Sequence, residues 1–254
     1  RDPAQRRRVP LCTFTHLRLD QLRAWHAQLF PRKRLTGMIA FPFPLREVDI
    51  AGANRYLVEV MLAAPDVRGF LLAHPTDVTP TLAAWDAALA AGVRFSGVKP
   101  YFDLVGKSAF ECSMPEFIPD SLLRFMDAHR LVLMLHTSGI GMGDADNQHY
   151  VRGVLERLPG IKIVLAHMGR YLEPDEFCRF ADSGLLDYPA LHLDMSSATV
   201  PAAAGIDVTS LDQVSLDQAP NWINLAVWSL TFVLIWLVAA QLGLLVQGIH
   251  LVTS

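Results

Sequence analysis

Cysteine is scarce in this chain of 254 residues: Cys12, Cys112 and Cys178 are odd in number, far apart, and form no C-x-x-C pair. Such usage points to a reducing compartment and gives no basis for a disulfide framework. An excess of either charge is also lacking. The 22 basic and 25 acidic side chains leave a formal net charge of −3, which makes no electrostatic case for a nucleic-acid partner. The short basic clusters "QRRR" (5–8) and "PRKR" (31–34) read as solvated surface. No G-x-G-x-x-G fingerprint follows an apolar run, and the glycine-rich "GIGMGDADN" (139–147) has neither that spacing nor the lysine of a P-loop. It reads as a flexible loop. At the start of the chain, Arg1 stands where a methionine would, without a charged-then-apolar leader pattern, so a fragment or a processed product is expected.

Charge disappears altogether between Gln218 and Ser254, and 20 of the 25 residues from Trp222 to Val246 are apolar. About 20 apolar residues are needed to span the hydrocarbon layer. Residues 221–250 are therefore a candidate transmembrane helix, with a buried barrel helix as the alternative, and 206–220 form a polar connector. No Lys or Arg flanks the segment, so its orientation is not legible. The expected location is cytoplasmic, with membrane anchoring through this segment.

What the chain has in quantity is apolar side chains, 52% of the total, enough to fill a substantial core. They are arranged as short runs alternating with segments of helical spacing, the mark of a parallel sheet covered by helices. The expected strands are 36–42, 67–73, 93–99, 131–136, 161–167 and 190–195, with 9–15 as a weaker seventh. Helices are expected at 19–30, 80–92, 119–130 and 147–158, several with recognisable Pro starts or Gly stops. Regular βα units without a nucleotide fingerprint fit a (β/α)8 TIM-type barrel better than a doubly wound sheet. Residues 1–205 form the barrel domain in this reading.

Two of the strands end alike. "RLVLMLHTSG" (130–139) and "IKIVLAHMGR" (161–170) each carry a buried run to a histidine, His136 and His167. In a barrel the C-terminal strand ends form one rim, which puts Lys99 there from a third strand, with His74 and Asp194 nearby. Each residue alone has a plain structural reading as a hydrogen-bonded strand terminus or a surface lysine; three converging on one rim point to a site. Strand-end imidazoles suit a divalent metal, zinc by donor type, that activates a water. The lysine could bind an anion, be carbamylated, or form a Schiff base if its pKa is depressed. His26, His129, His149 and His192 read as helical, surface or outward-facing residues without a role.

"FSGVKPY", "LVLMLH", "IKIVLAHMGR" and "LHLDMSSAT", in this order and spacing over roughly residues 20–200, resemble the amidohydrolase-related family of metal-dependent hydrolases and decarboxylases. The resemblance implies His136 as a metal ligand and His167 as a second ligand or acid/base. It sets Lys99 at a strand end as a catalytic or substrate-binding residue, with Tyr101 beside it and Arg170 placed to meet a substrate carboxylate. A small-molecule substrate and an oligomer would fit the same picture. The family's H-x-H pair on its first strand and aspartate on its last have no counterpart here: no two of the nine histidines are two apart, and Phe14 precedes His16 by two. Half of the metal site is thus expected to be missing, as in an incomplete barrel. The resemblance implies hydrolysis or non-oxidative decarboxylation. A metal-free aldolase-like enzyme using Lys99, and an inactive membrane-tethered remnant, are the alternatives.

Overall fold

The computed structural model describes residues 18–194, apart from 30, 33, 45, 172 and 173. The expected strand at 9–15, the connector and the segment 221–250 lie outside the described residues. Among those described, no helix is long and apolar enough to cross a membrane. The chain divides into two units, residues 1–35 with 230–254 and residues 36–229. In the first, the described element is α1 (Leu19–Leu29), opened by an Arg18 N–H that donates to Gln21 Oε1 at 3.0 Å.

The second unit runs β1 (Met38–Ala40), α2 (Ile50–Ala63), β2 (Val67–Leu72), α3 (Thr79–Ala90), β3 (Gly97–Lys99), a 3₁₀ turn (Phe102–Val105), α4 (Met114–Phe117) and α5 (Asp120–His129). It continues with β4 (Val132–Leu135), α6 (Ala145–Arg157), β5 (Lys162–Leu165), α7 (Pro174–Ala181) and β6 (Leu191–Leu193). All six strands are parallel and lie in the order β1-β2-β3-β4-β5-β6. A doubly wound sheet reverses its order at a switch point; this sheet never does. Among the described residues it is the curled partial wall of a TIM-type barrel, with six of the eight strands that closure requires.

Alternation along the strands sorts the side chains into two layers. Phe70, Met134 and Ala166 form one buried cluster, with Val132 and Val164 packed on it, and this is the inner face. Leu133, Leu135, Ile163 and Leu165 are fully or nearly fully buried on the other face, under the helices. Burying each such side chain contributes roughly 1.5–3 kcal/mol. Gly97 belongs to the inner face, since a Cβ there would come within 2.9 Å of the Phe70 ring and 2.5 Å of the Val132 carbonyl oxygen. Lys99, two residues on, therefore points inward as well.

The strands are shorter than the apolar runs that mark them. β1 covers three residues of the expected seven, and beyond it the Asn54 amide of α2 stands in for a strand: its Nδ2 donates to Leu72 O at 3.0 Å and its Oδ1 accepts from Leu72 N at 2.9 Å. Helices α2 and α7 were not expected from sequence. α2 begins at Asp49, whose carboxylate accepts from the Gly52 N–H at 3.0 Å. The glycine-rich 139–147 segment is not a free loop as expected. It is a 3₁₀ turn (Gly141–Gly143) followed by the Asp144 cap of α6, and Asn147 Nδ2 closes it by donating to the carbonyls of Ser138 and Gly141, both at 2.8 Å.

Candidate functional site

On β4 the inward series is Val132, Met134, His136, so simple alternation delivers the imidazole to the barrel mouth. On β5 the inward residues are Val164 and Ala166, and alternation would turn His167 away. The backbone corrects this. From His167 to Arg170 four consecutive residues have positive φ, at 54°, 56°, 89° and 52°, where the sequence predicts a strand running on to His167. Three of the four are not glycine, and each such residue costs on the order of 1–3 kcal/mol. The turn brings the two imidazoles into edge-to-face contact with ring centroids 5.1 Å apart.

The neighbours that hold this turn come from both sides. Met168 N–H donates to Asp194 O at 2.7 Å, and Asp194 N–H donates to Leu165 O at 2.8 Å, which ties the turn to β6. Thr137 Oγ1 donates to Gly169 O at 3.0 Å, and Arg170 Nη1 donates to Thr137 O at 3.2 Å, which ties it to β4. Gly141 lets the chain pass: a Cβ there would sit 1.3 Å from the Arg170 carbonyl oxygen.

Around the imidazoles lies an aromatic wall. The Tyr101 and Phe102 rings stack at 4.3 Å and meet the His136 ring edge-on at 5.1 and 5.2 Å. Lys99 Nζ is 5.5 Å from the centroids of both Phe41 and Tyr101, and the Arg170 guanidinium carbon lies 4.8 Å from the centroid of Phe110. These are cation–π distances.

Burial and like charge set the protonation states. Lys99 is 4% exposed, and burial pushes its amine down to about 8, with the Asp194 carboxylate acting in the opposite sense. Burial likewise holds His136 well below the ordinary imidazole value, helped by Lys99, His167 and Arg170. His136 is therefore neutral near pH 7. Its Nδ1 lies 3.2 Å from Thr137 O, and since a carbonyl only accepts, Nδ1 carries the proton and Nε2 the lone pair. Burial lowers Arg170, and burial together with Asp103 raises Tyr101. Cation-capable groups thus outnumber the two carboxylates, Asp194 and Asp103, that act on this pocket's side chains.

Two imidazoles in edge contact, one with a defined lone pair, are a sound pair of donors for one divalent ion. A zinc site takes roughly three or four protein ligands, and among the described residues no group of three His, Cys, Asp or Glu side chains is placed to hold a metal. The described residues fit part of such a site and do not complete it.

Of the residues expected from sequence, Lys99, Tyr101, His136, His167 and Arg170 share this one locality. His74, expected near the rim, braces a loop. Its Nδ1 accepts from Asp77 N–H at 3.1 Å and its own N–H donates to Thr81 Oγ1 at 3.0 Å, a loop brace before α3. His192, expected to face outward, is exposed but in register with the inner-face residue Val164, and His129 packs against Trp85 and Phe125. Phe41, Phe102, Phe110 and Thr137 were missed. Phe41, Phe102 and Thr137 closely follow strand ends, a signal that was present, whereas Phe110 reaches the site only through loop geometry.

A six-stranded parallel wall with its polar cluster at the C-terminal strand ends is the arrangement of a TIM-type barrel. The amidohydrolase family model matches residues 40–203, well over half the sequence, and the chain belongs to that family. Superfamily members commonly use divalent metals. Similar solved structures include an uncharacterised TIM-barrel protein from Bordetella bronchiseptica, with 14% identity and a TM-score of 0.48 over 74% of this chain and 63% of that one. A 4-oxalomesaconate hydratase from Rhodopseudomonas palustris has 17% identity and a TM-score of 0.42, over 66% and 55%. Amidohydrolase 2 from Bifidobacterium longum subsp. infantis has 19% identity and a TM-score of 0.43, over 70% and 60%. The chain thus spans about three-fifths of the length of these structures. No curated protein sequence matches it.

Proposed function

We propose that the chain is an amidohydrolase-type enzyme acting on a small carboxylate-bearing or cyclic substrate, by hydrolysis of a C–N or C–O bond or by non-oxidative decarboxylation. The observation that carries this reading is Lys99, an amine buried at the barrel mouth between aromatic rings, beside two imidazoles and an arginine. A buried cation surplus is stable when an anion completes it. Lys99 and Arg170 hold the substrate's negative charge, with Tyr101 as a wall. His167 gives or takes the proton at the reacting atom, which in decarboxylation is the carbon that loses carbon dioxide. A divalent metal, zinc by donor type, would draw nitrogen ligands from His136 and His167 and supply an acidic bound water or a Lewis acid. Among the described residues these two donors do not complete its ligand set.

The test is turnover of a panel of cyclic and aromatic acids, amides and lactones by the full chain supplied with zinc, following carbon dioxide release and acid production. Lys99→Met and His167→Ala are expected to lower any activity found by at least about a hundredfold. Wild-type rates in both variants would dismiss the assignment.

One observation favours a second reading. An amine brought down to about 8 is partly unprotonated near neutral pH and can attack a carbonyl. Lys99 would then form a Schiff base in a metal-free reaction. Borohydride reduction in the presence of a carbonyl substrate would leave a stable adduct at Lys99, and the absence of an adduct there rejects this reading.

A further inference from the structure

We propose that Arg46 and Asp103 form a latch that sets which anions the Lys99 pocket accepts, by holding aromatic rings from two separate loops against the amine. The inference rests on the reading of that pocket as an anion site and adds residues that the reading does not use.

Arg46 lies in the segment joining β1 to α2, and Asp103 in the 3₁₀ turn that follows β3. β2 stands between those strands, so the pair bridges about 10 Å of sheet. Three hydrogen bonds close it: Arg46 N–H donates to Asp103 Oδ2 at 3.0 Å, Nε to Oδ1 at 3.3 Å and Nη2 to Oδ1 at 2.8 Å. Both side chains are shielded from solvent, at 22% and 25% exposure, so water screens the pair less than it would a surface bridge. A main-chain donor in the set fixes the loop itself and not merely a side chain.

Each latched loop carries one of the two rings that face Lys99. Phe41 opens the segment that contains Arg46, and Tyr101 immediately precedes the turn that contains Asp103; both centroids are 5.5 Å from Nζ. Tyr101 in turn stacks on Phe102, which packs edge-on against the buried Phe117 at 6.3 Å. The Tyr101 side is thus braced by the fold, whereas Phe41 is 39% exposed and belongs to a loop with two prolines, Pro42 and Pro44. The latch is a polar tie between the two. With it closed, both rings stay against the amine, so a flat ring bearing a carboxylate would meet aromatic faces beside the cation. With it open, the amine still attracts a carboxylate, but Phe41 is no longer held beside it.

The test uses the full chain and two probes, benzoate and acetate, titrated calorimetrically into the wild type, Arg46→Ala, Asp103→Asn, the swap Arg46→Asp with Asp103→Arg, and Lys99→Met. Each single latch variant is expected to lower the benzoate-to-acetate affinity ratio about fivefold, near what one aromatic contact supplies, with acetate affinity unchanged. The charge swap should restore the ratio. Asp103→Asn keeps the shape of the side chain and serves if Arg46→Ala does not fold. An unchanged ratio in folded single variants, or an equal loss of both probes, overturns the latch. Lys99→Met separates the two ideas: if it binds both anions as the wild type does, the anion site itself is refuted, whatever the latch variants do.

Discussion

The ends of β4 and β5 deliver the same side chain to the same place by different means. At β4, His136 needs no special backbone; alternation aims it, and the energetic difficulty is electrical, a buried imidazole among cations. At β5 the difficulty is conformational, because His167 is aimed only by a left-handed run that its neighbours must enforce. The lesson is that a site can be assembled from a cheap geometry with costly electrostatics on one strand and the reverse on the next. Each cost is met by different partners: the Tyr101 and Phe102 rings and the Thr137 carbonyl on one side, Gly141, the Thr137 hydroxyl and β6 on the other.

Breaking the enforced end should have the largest effect. Gly141→Ala places a methyl carbon where the Arg170 carbonyl oxygen lies, at a residue whose own φ is +89°. A loss of more than about 3 kcal/mol is expected, seen as a fall in the urea midpoint at constant slope, or as failure to fold. A change below about 1 kcal/mol would mean the run is not held as described.

Relieving the electrical end should stabilise. Lys99 has its folded pKa lowered from 10.5 to about 8. Below pH 8 both the folded and unfolded forms are charged and the folded form bears the whole burial cost. Between about 8 and 10.5 the unfolded chain holds the proton more tightly, so stability rises with pH, and above that the cost is gone. Lys99→Met is therefore expected to gain on the order of 2 kcal/mol at pH 7, with the gain vanishing above pH 10.5. Thermal unfolding of both proteins across this range measures it, and a gain that grows with pH would have the wrong sign.

The smallest effect is expected at the cross-link between the ends. Thr137→Val removes the hydroxyl bond to Gly169 O, which costs about 1–2 kcal/mol for a buried acceptor left unpaired. Chemical denaturation reads this loss, and Thr137→Ser should recover most of it; no loss in the valine variant would leave the two ends uncoupled.

Much of the scaffold was legible in the chain because parallel barrel strands are apolar on both faces and announce themselves as short runs. Lys99, His136 and His167 were legible as the residues where those runs stop. α2 escaped because Asn54, the residue that matters most in it, is polar and buried, against the pattern that betrays a helix's core face. The left-handed turn escaped because "AHMGR" carries one glycine for four positive φ values, so strain held by tertiary contacts leaves no local mark. Arg46 with Asp103, 57 residues apart, is likewise a fact of topology alone.

The central claim is that Lys99, His136, His167 and Arg170 line a single anion pocket. A crystal structure of the full chain soaked with benzoate measures this most directly. The carboxylate should lie within hydrogen-bonding distance of Lys99 Nζ or the Arg170 guanidinium, with the ring beside Tyr101; benzoate bound away from all four residues, with this mouth closed to it, would contradict the claim.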